Sequence, residues 1–328
     1  MSKATTSTEA ATDAHRRAMR VARRVVLKVG TPVITHCDGN LALGRIGALV
    51  EQIARLRQEG REVVIVTSGA ISTGALRMRK TMTLKSTLEE TILQGKAPGH
   101  EGDADMNQSA ASAVGQALLM NMYETLFSKY NLSAAQVLIT EDDVNDAETL
   151  GQVCETTLEL MQLGTVPIIN DNDAVTGRQE SVYDARTNEI SWDNDVLASR
   201  VAVGLRADLL IMLTDLDALY AMPPAGARSA DPVKLSVYNP EAQLVRSGIN
   251  SQILLLSDQG RGEFAGRTRM APEGMRALVD AARSAVREGV RAAVVATGHH
   301  PLSLVNILRG QEIGTLFVSD ATRLSSKL

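Results

Sequence analysis

Two kinds of apolar pattern alternate along the chain. Val25-Val26-Leu27-Lys28-Val29 and Val63-Val64-Ile65-Val66-Thr67 are apolar at almost every position and rich in β-branched residues. Strands buried on both faces of a parallel sheet read this way. Between them Leu43, Ile46, Leu49, Val50, Ile53 and Leu56 recur at helical spacing until Gly60 ends the run,. Strand, helix, strand with short connections predicts a right-handed βαβ unit.

The alternation continues. Strands are predicted at 135–139, 166–169, 209–213 and 292–296, with a closing strand at 314–317,. Helices are predicted at 148–163, 196–205 and 274–288,. The expected fold is therefore α/β, a three-layer α/β/α sandwich around a largely parallel sheet. Residues 80–107 and 222–268 lack a clear period and are predicted as long loops or insertions,. Residues 1–20, rich in Ser, Thr, Ala and charge, are expected to form a disordered tail before a single domain over 21–328,. Arg16, Arg17 and Arg20 give that tail some likeness to a mitochondrial presequence, against which Glu9 and Asp13 count,.

Composition narrows the function. In 328 residues, 44% are hydrophobic and 22% charged, which suits a globular protein able to bury a large core,. No run approaches the roughly 20 apolar residues of a membrane span. A net charge of −4 and 3% aromatics offer nucleic acid neither a basic surface nor a stacking platform,. Cys37 and Cys154 match no zinc or disulfide spacing, which points to a reducing, cytoplasmic compartment,. No ligand set for a protein-bound metal is read from the sequence.

Ligands of open parallel sheets bind beyond the carboxyl ends of the strands. Four such ends are polar or glycine-rich: Lys28 to Thr31, Thr67 to Ala70, Asn170 to Asp173, and Thr214-Asp215. Asp193-Asn194-Asp195 opens a helix; Asp193 suffices as its cap, and the other two exceed what capping needs,. No Walker A or G-x-G-x-x-G pattern follows the first strand. Gly30, Gly69 and Gly74 suit close approach of backbone to an anion, or simply turns. Lys28, inside an apolar strand, either snorkels from its end or meets an anion such as phosphate. His299-His300, before Pro301, is expected in a solvated loop without a catalytic role.

The order of these pieces resembles the amino acid kinase superfamily, and within it the glutamate 5-kinase family. Val26 to Thr31, Val66 to Ile71, Val166 to Asp173, Trp192 to Asp195 and Leu213 to Tyr220 carry the resemblance, with Ala111 to Met120 and Gly310 to Phe317 fitting as well. It implies transfer of the γ-phosphoryl group of ATP, with Mg²⁺, to the γ-carboxylate of L-glutamate at the start of proline biosynthesis. By position it implies that Lys28 contacts the phosphates with Gly30, Thr214, Asp215, Gly274 and Met275 at the nucleotide. It places Ser68, Gly69, Ala70, Asn170, Asp173, Asn194 and Asp195 around glutamate, and Asp193 at the reacting end. It also implies a homo-oligomer, dimer or tetramer, and proline as a candidate feedback inhibitor in the glutamate pocket.

The sequence departs from that family in one place that matters. A Gly-Gly-Met-x-x-Lys segment is usual there, and Pro272-Glu273-Gly274-Met275-Arg276-Ala277-Leu278 replaces it. Leu278 stands at the position of the second phosphate-binding lysine, and Arg276, Arg267 or Arg269 is expected to supply the charge. Gln152 and Glu155 stand where asparagines are usual, and the RNA-binding-like PUA domain of many bacterial members has no counterpart in this sequence. The alternatives are a weakened, regulatory relative that binds glutamate or nucleotide, or a sister kinase acting on another carboxylate or on carbamate.

Overall fold

The computed structural model describes residues 16–89, 107–176, 193–221, 233–238 and 272–318. Its first half runs β1 (Arg24–Val29), α1 (Leu43–Gln58), β2 (Glu62–Thr67), α2 (Ala70–Glu89), α3 (Gln108–Ser128), β3 (Ala134–Ile139), α4 (Ala147–Gln162) and β4 (Val166–Asp171). The second half runs α5 (Asn194–Gly204), β5 (Leu209–Thr214), β6 (Leu219–Ala221), β7 (Val233–Leu235), β8 (Val237–Tyr238), α6 (Pro272–Arg287), β9 (Ala292–Thr297), α7 (Ser303–Leu308) and β10 (Thr315–Val318). Eight strands make one sheet in the order β3-β4-β2-β1-β5-β9-β10-β8. Among the described residues only the β9–β10 pairing within it is antiparallel.

The apolar runs explain the layers. Along β1, Val25, Leu27 and Val29 face a core shared with α1, α3 and α7, whereas Val26 faces a second core under α4, α5 and α6. Strands buried on both faces must be apolar at consecutive positions, and β5 is buried at all six,. Lys28 interrupts the rule in β1, on the face of Val26,.

Three predicted boundaries change. Residues 16–20 are helical rather than disordered, and Met19 is buried. The guanidinium of Arg16 is buried with them, donating to Gln311 O at 2.8 Å and Ser236 O at 3.1 Å. A buried arginine is tolerated where carbonyls receive its N–H groups. The stretch predicted as a loop from residue 80 begins as helix, because α2 continues to Glu89. A helix already nucleated extends at little cost, even through a segment with weak apolar periodicity. The 222–268 stretch contains β7, antiparallel to β6, and β8, which closes the sheet beside β10. The rest of both predicted loops lies outside the described residues. Among the described residues no helix is long and apolar enough to cross a membrane.

Candidate active site

Strands β4, β2, β1 and β5 are neighbours and parallel, so their carboxyl ends share one edge. Lys28, near the end of β1, points to the α5 face. Its Nζ lies 2.6 Å from Asp195 Oδ1, with the two side chains 7% and 5% exposed. Desolvation consumes much of the Coulomb gain of such a pair, so its main effect is to fix the ammonium in place. Gly30 leaves room for it: a Cβ there would lie 3.5 Å from Lys28 Nζ and 3.1 Å from Leu213 O. The Gly30 N–H donates to Leu213 O at 3.0 Å, so this glycine provides clearance and its amide is not offered to an anion.

Asp193 caps α5. Its Oδ1 accepts from the N–H groups of Asp195 at 2.8 Å and Val196 at 3.0 Å. Burial, and then the neighbouring Asp195 carboxylate, push its pKa upward against the pull of Lys28 and the two N–H donors,. The capping role is therefore filled by the same side chain that the resemblance places at the reacting end.

The β4 end is a polar lattice. Asn170 Nδ2 donates to Gln116 Oε1 of α3 at 2.8 Å, while Asn170 Oδ1 accepts from Asp171 N at 3.0 Å. Asn170 is 1% exposed, held at the end of β4 by these two bonds. Asn194 Oδ1 accepts from Asp171 N at 3.3 Å and ties α5 to β4. Asp173 stands beside Ser112 Oγ at 3.4 Å. Burial first, then the Asp171 carboxylate, raise the Asp173 pKa to about 6, with Ser112 opposing,. Gln116, Ser112 and Asp171 were not singled out from the sequence. All three lie within runs that carry the family resemblance, Asp171 in Val166 to Asp173 and the others in Ala111 to Met120, and Ser112 and Gln116 are four apart on one helix face, a spacing that marks a shared direction,.

At the β2 end, Ser68 N donates to Val29 O at 3.1 Å, and Gly69 adopts φ +89° to turn the chain into α2. A Cβ at Gly69 would meet Ile34 Cδ1 at 2.6 Å, so glycine is required on both counts. Ser68 and Ala70 are buried beside it. Gly74 serves another purpose than the anion approach predicted for it. A Cβ there would lie 1.8 Å from Ala111 O, and one at Gly115 would lie 1.8 Å from Ala70 O. The pair lets α2 and α3 touch backbone to backbone.

At the β5 end, Thr214 is fully buried, its Oγ1 donating to Asp215 Oδ1 at 3.2 Å. Helix α6 packs on α5, and its Gly274 and Arg276 are half-buried. Met275 has a buried side chain, which leaves its backbone as the part able to meet a nucleotide. Leu278 is 0% exposed within the core that contains Met212 and Val295. Position 278 thus points into the core, not toward a phosphate, and a lysine there would be buried in apolar surroundings. Arg267 and Arg269 lie outside the described residues.

This edge and its sheet define a class: the chain belongs to the amino acid kinase family, whose model matches residues 23–297. It is similar to a glutamate 5-kinase of Symbiobacterium thermophilum, 38% identical over 304 residues, covering 92% of this chain and 98% of that protein. It is equally similar, at 38% over 309 residues, to a Delta-1-pyrroline-5-carboxylate synthase of Mesembryanthemum crystallinum, covering 94% of this chain. The chain spans 39% of the length of that relative. The structure resembles a carbamate kinase from Giardia lamblia solved with AMP-PNP, with TM-score 0.53 and 15% identity over 92% of this chain and 100% of that one. An N-acetylglutamate synthase from Neisseria gonorrhoeae gives TM-score 0.53 at 15% identity, over 96% of this chain and 64% of that one. Both likenesses are of fold.

Proposed function

We propose that the protein transfers the γ-phosphoryl group of ATP to the γ-carboxylate of L-glutamate, giving γ-glutamyl phosphate for proline biosynthesis. The observation that carries this reading is the buried Lys28 ammonium, held by Asp195 between the polar lattice of β4 and Thr214 of β5. The similarity to a glutamate 5-kinase of matching length supports it.

The chemistry needs no general base, because a carboxylate is already ionised at neutral pH. A γ-carboxylate oxygen attacks the γ-phosphorus as the bond to the β–γ bridging oxygen breaks, and ADP leaves with that electron pair. The obstacle is repulsion between anions, so catalysis is positioning and cationic stabilisation. Lys28 supplies the fixed positive charge, and Asp195 positions it. Ser68, Gly69 and Ala70, where β2 turns into the 20-residue helix α2, favour a substrate carboxylate,. Asp173 receives the substrate ammonium, and Asn194 holds α5 against that wall. Thr214 and Asp215 lie on the nucleotide side, with Gly274 and Arg276 of α6.

Among the described residues no group of three His, Cys, Asp or Glu side chains could hold a metal ion. Magnesium would arrive with the phosphates of ATP and, when bound, would supply positive charge against theirs. Proline shares the α-carboxylate and α-nitrogen of glutamate but lacks its γ-carboxylate, which makes it a candidate competitor in the same pocket.

ADP release from MgATP, measured with and without L-glutamate and with hydroxylamine trapping of the acyl phosphate, tests the reading. Glutamate-dependent ADP and hydroxamate in equal amounts are expected. The burial of Leu278 favours a second reading, a binding protein with little turnover. Tight glutamate binding without ADP release would establish that reading and overturn the first.

A further inference from the structure

A cavity of about 380 Å³ lies between α1 and the segment that leads from β9 into α7. That volume is typical of small-molecule sites. Leu213 lines it from β5, on the sheet face opposite Lys28. His36, Arg45, His299 and His300 stand on its wall, and among the described residues no carboxylate does. Three of the chain's five histidines thus meet in one cavity of a protein whose net charge is −4. His299-His300, expected to be an idle loop, is part of a built wall.

Two details give the wall direction. Ser303 lines the cavity at 2% exposure, and its Oγ has no hydrogen-bond partner. Leaving a buried hydroxyl unpaired is costly, which calls for a ligand or an ordered water. His300 Nδ1 accepts from Leu302 N at 3.2 Å, which leaves Nε2 as the donor to an outside acceptor,. Apolar contact is offered by Leu49, Leu213 and Leu304.

We propose that this cavity binds a small organic anion, a phosphate or carboxylate, with its oxygens toward Arg45, His300 and Ser303 and its carbon skeleton on the leucines. The site is separate from the catalytic edge but backs onto it. Leu213 precedes Thr214 in β5, Gly298 N donates to Thr214 O at 2.8 Å, and His299 Nε2 lies 3.1 Å from Pro32 O. An occupant would press on the strand end whose other side faces the nucleotide.

Titration calorimetry at constant ionic strength tests this, using the full chain with glycerol 3-phosphate and, separately, succinate. Each titration is run with and without a non-hydrolysable ATP analogue plus L-glutamate, so that binding at the catalytic edge is recognised. Saturable binding of at least one probe is expected, still present when the analogue and L-glutamate are bound and weakened at least tenfold by Arg45→Gln and by His300→Gln. His300 is exposed, so its variant keeps the test informative should Arg45→Gln fold poorly. Preference for one probe identifies the anion as phosphate or carboxylate. Failure of both probes to bind, binding displaced by the analogue, or binding indifferent to both substitutions would overturn the proposal.

Discussion

The two sides of Lys28 are built differently. Toward β4, polar side chains hold one another: Gln116, Asn170, Asp171 and Asn194 form one chain of hydrogen bonds across α3, β4 and α5. Toward β5, the described contacts are Thr214 with Asp215, and a helix, α6, whose Leu278 is turned into the core. The first side is braced because hydrogen bonds link three elements through it, although the buried Nε2 of Gln116 has no partner among the described residues,. The second side relies on backbone and on the opening turns of α6, so a change there should affect turnover more than amino-acid affinity.

The largest expected effect comes from the residue between the two sides. Lys28→Met should lower kcat at least about 10³-fold, the upper range for one electrostatic donor. It should also cost about 3–5 kcal/mol of stability, because Asp195 is left as a buried, uncompensated charge. Lys28→Met with Asp195→Asn should recover most of that stability and none of the turnover. Recovery of both in the double variant would make the ion pair purely structural.

Leu278→Lys comes next. If α6 keeps its present face to the core, the new ammonium is buried and the urea midpoint falls by the equivalent of about 3 kcal/mol or more. Unchanged stability with faster turnover would mean that α6 presents position 278 to the nucleotide. Arg276 lies two places earlier, about 200° around the helix. Arg276→Ala should reduce kcat by roughly 10²-fold with the KM for glutamate unchanged, as expected if it supplies the charge on the β5 side. A silent variant would remove it from that role.

The smallest effect belongs to the braced side. Asp173→Asn should raise the KM for glutamate about tenfold and leave the KM for ATP within about twofold, the loss expected for one charged hydrogen-bond partner. The pKa of Asp173 is raised from 3.8 to about 6 in the fold. It therefore takes up a proton as pH falls through about 6, and wild-type KM for glutamate should climb below that pH while the Asn variant stays flat. The stability sign is opposite. A raised carboxylate pKa gives a contribution present below pH 3.8 that is lost as pH rises through 6, so Asp173→Asn should raise Tm at pH 7.5. A lower Tm in that variant would mean that ionised Asp173 holds the lattice together.

Much of the sheet was legible because doubly buried strands carry runs of consecutive apolar residues, as β1, β2, β4, β5 and β9 do apart from Lys28 and their polar ends. The edge strands β7 and β8 were not, since three- and two-residue strands carry no period to read. The helical turn at 16–20 was hidden by its three arginines, one of which, Arg16, is buried through a carbonyl nearly 300 residues away, that of Gln311. The rule that ligands sit beyond strand ends pointed to Lys28, Ser68, Asp173 and Thr214, which stand at or near the carboxyl ends of neighbouring strands. It could not find Ser112 and Gln116, which reach the pocket only because α3 lies across α2. Leu278 shows the limit of position matching: the sequence says what replaces a lysine, and only the packing of α6 shows which way that position faces.

The contact between Gly74 and Gly115 sets a dimension. Helix α2 begins at the Ser68-Gly69-Ala70 turn, and α3 carries Ser112, beside Asp173, and Gln116, which accepts from Asn170. The separation of the two helices is fixed at the distance where two backbones meet with no side chain between them. A single methyl at either glycine must act as a spacer, since no flexible atom is there to yield,. A displacement of about 1 Å is enough to misalign a reacting group by a catalytically serious amount. Two hydrogen atoms in place of two methyls thus work as the gauge that sets how far the β2 turn lies from the side chains that α3 sends to the end of β4.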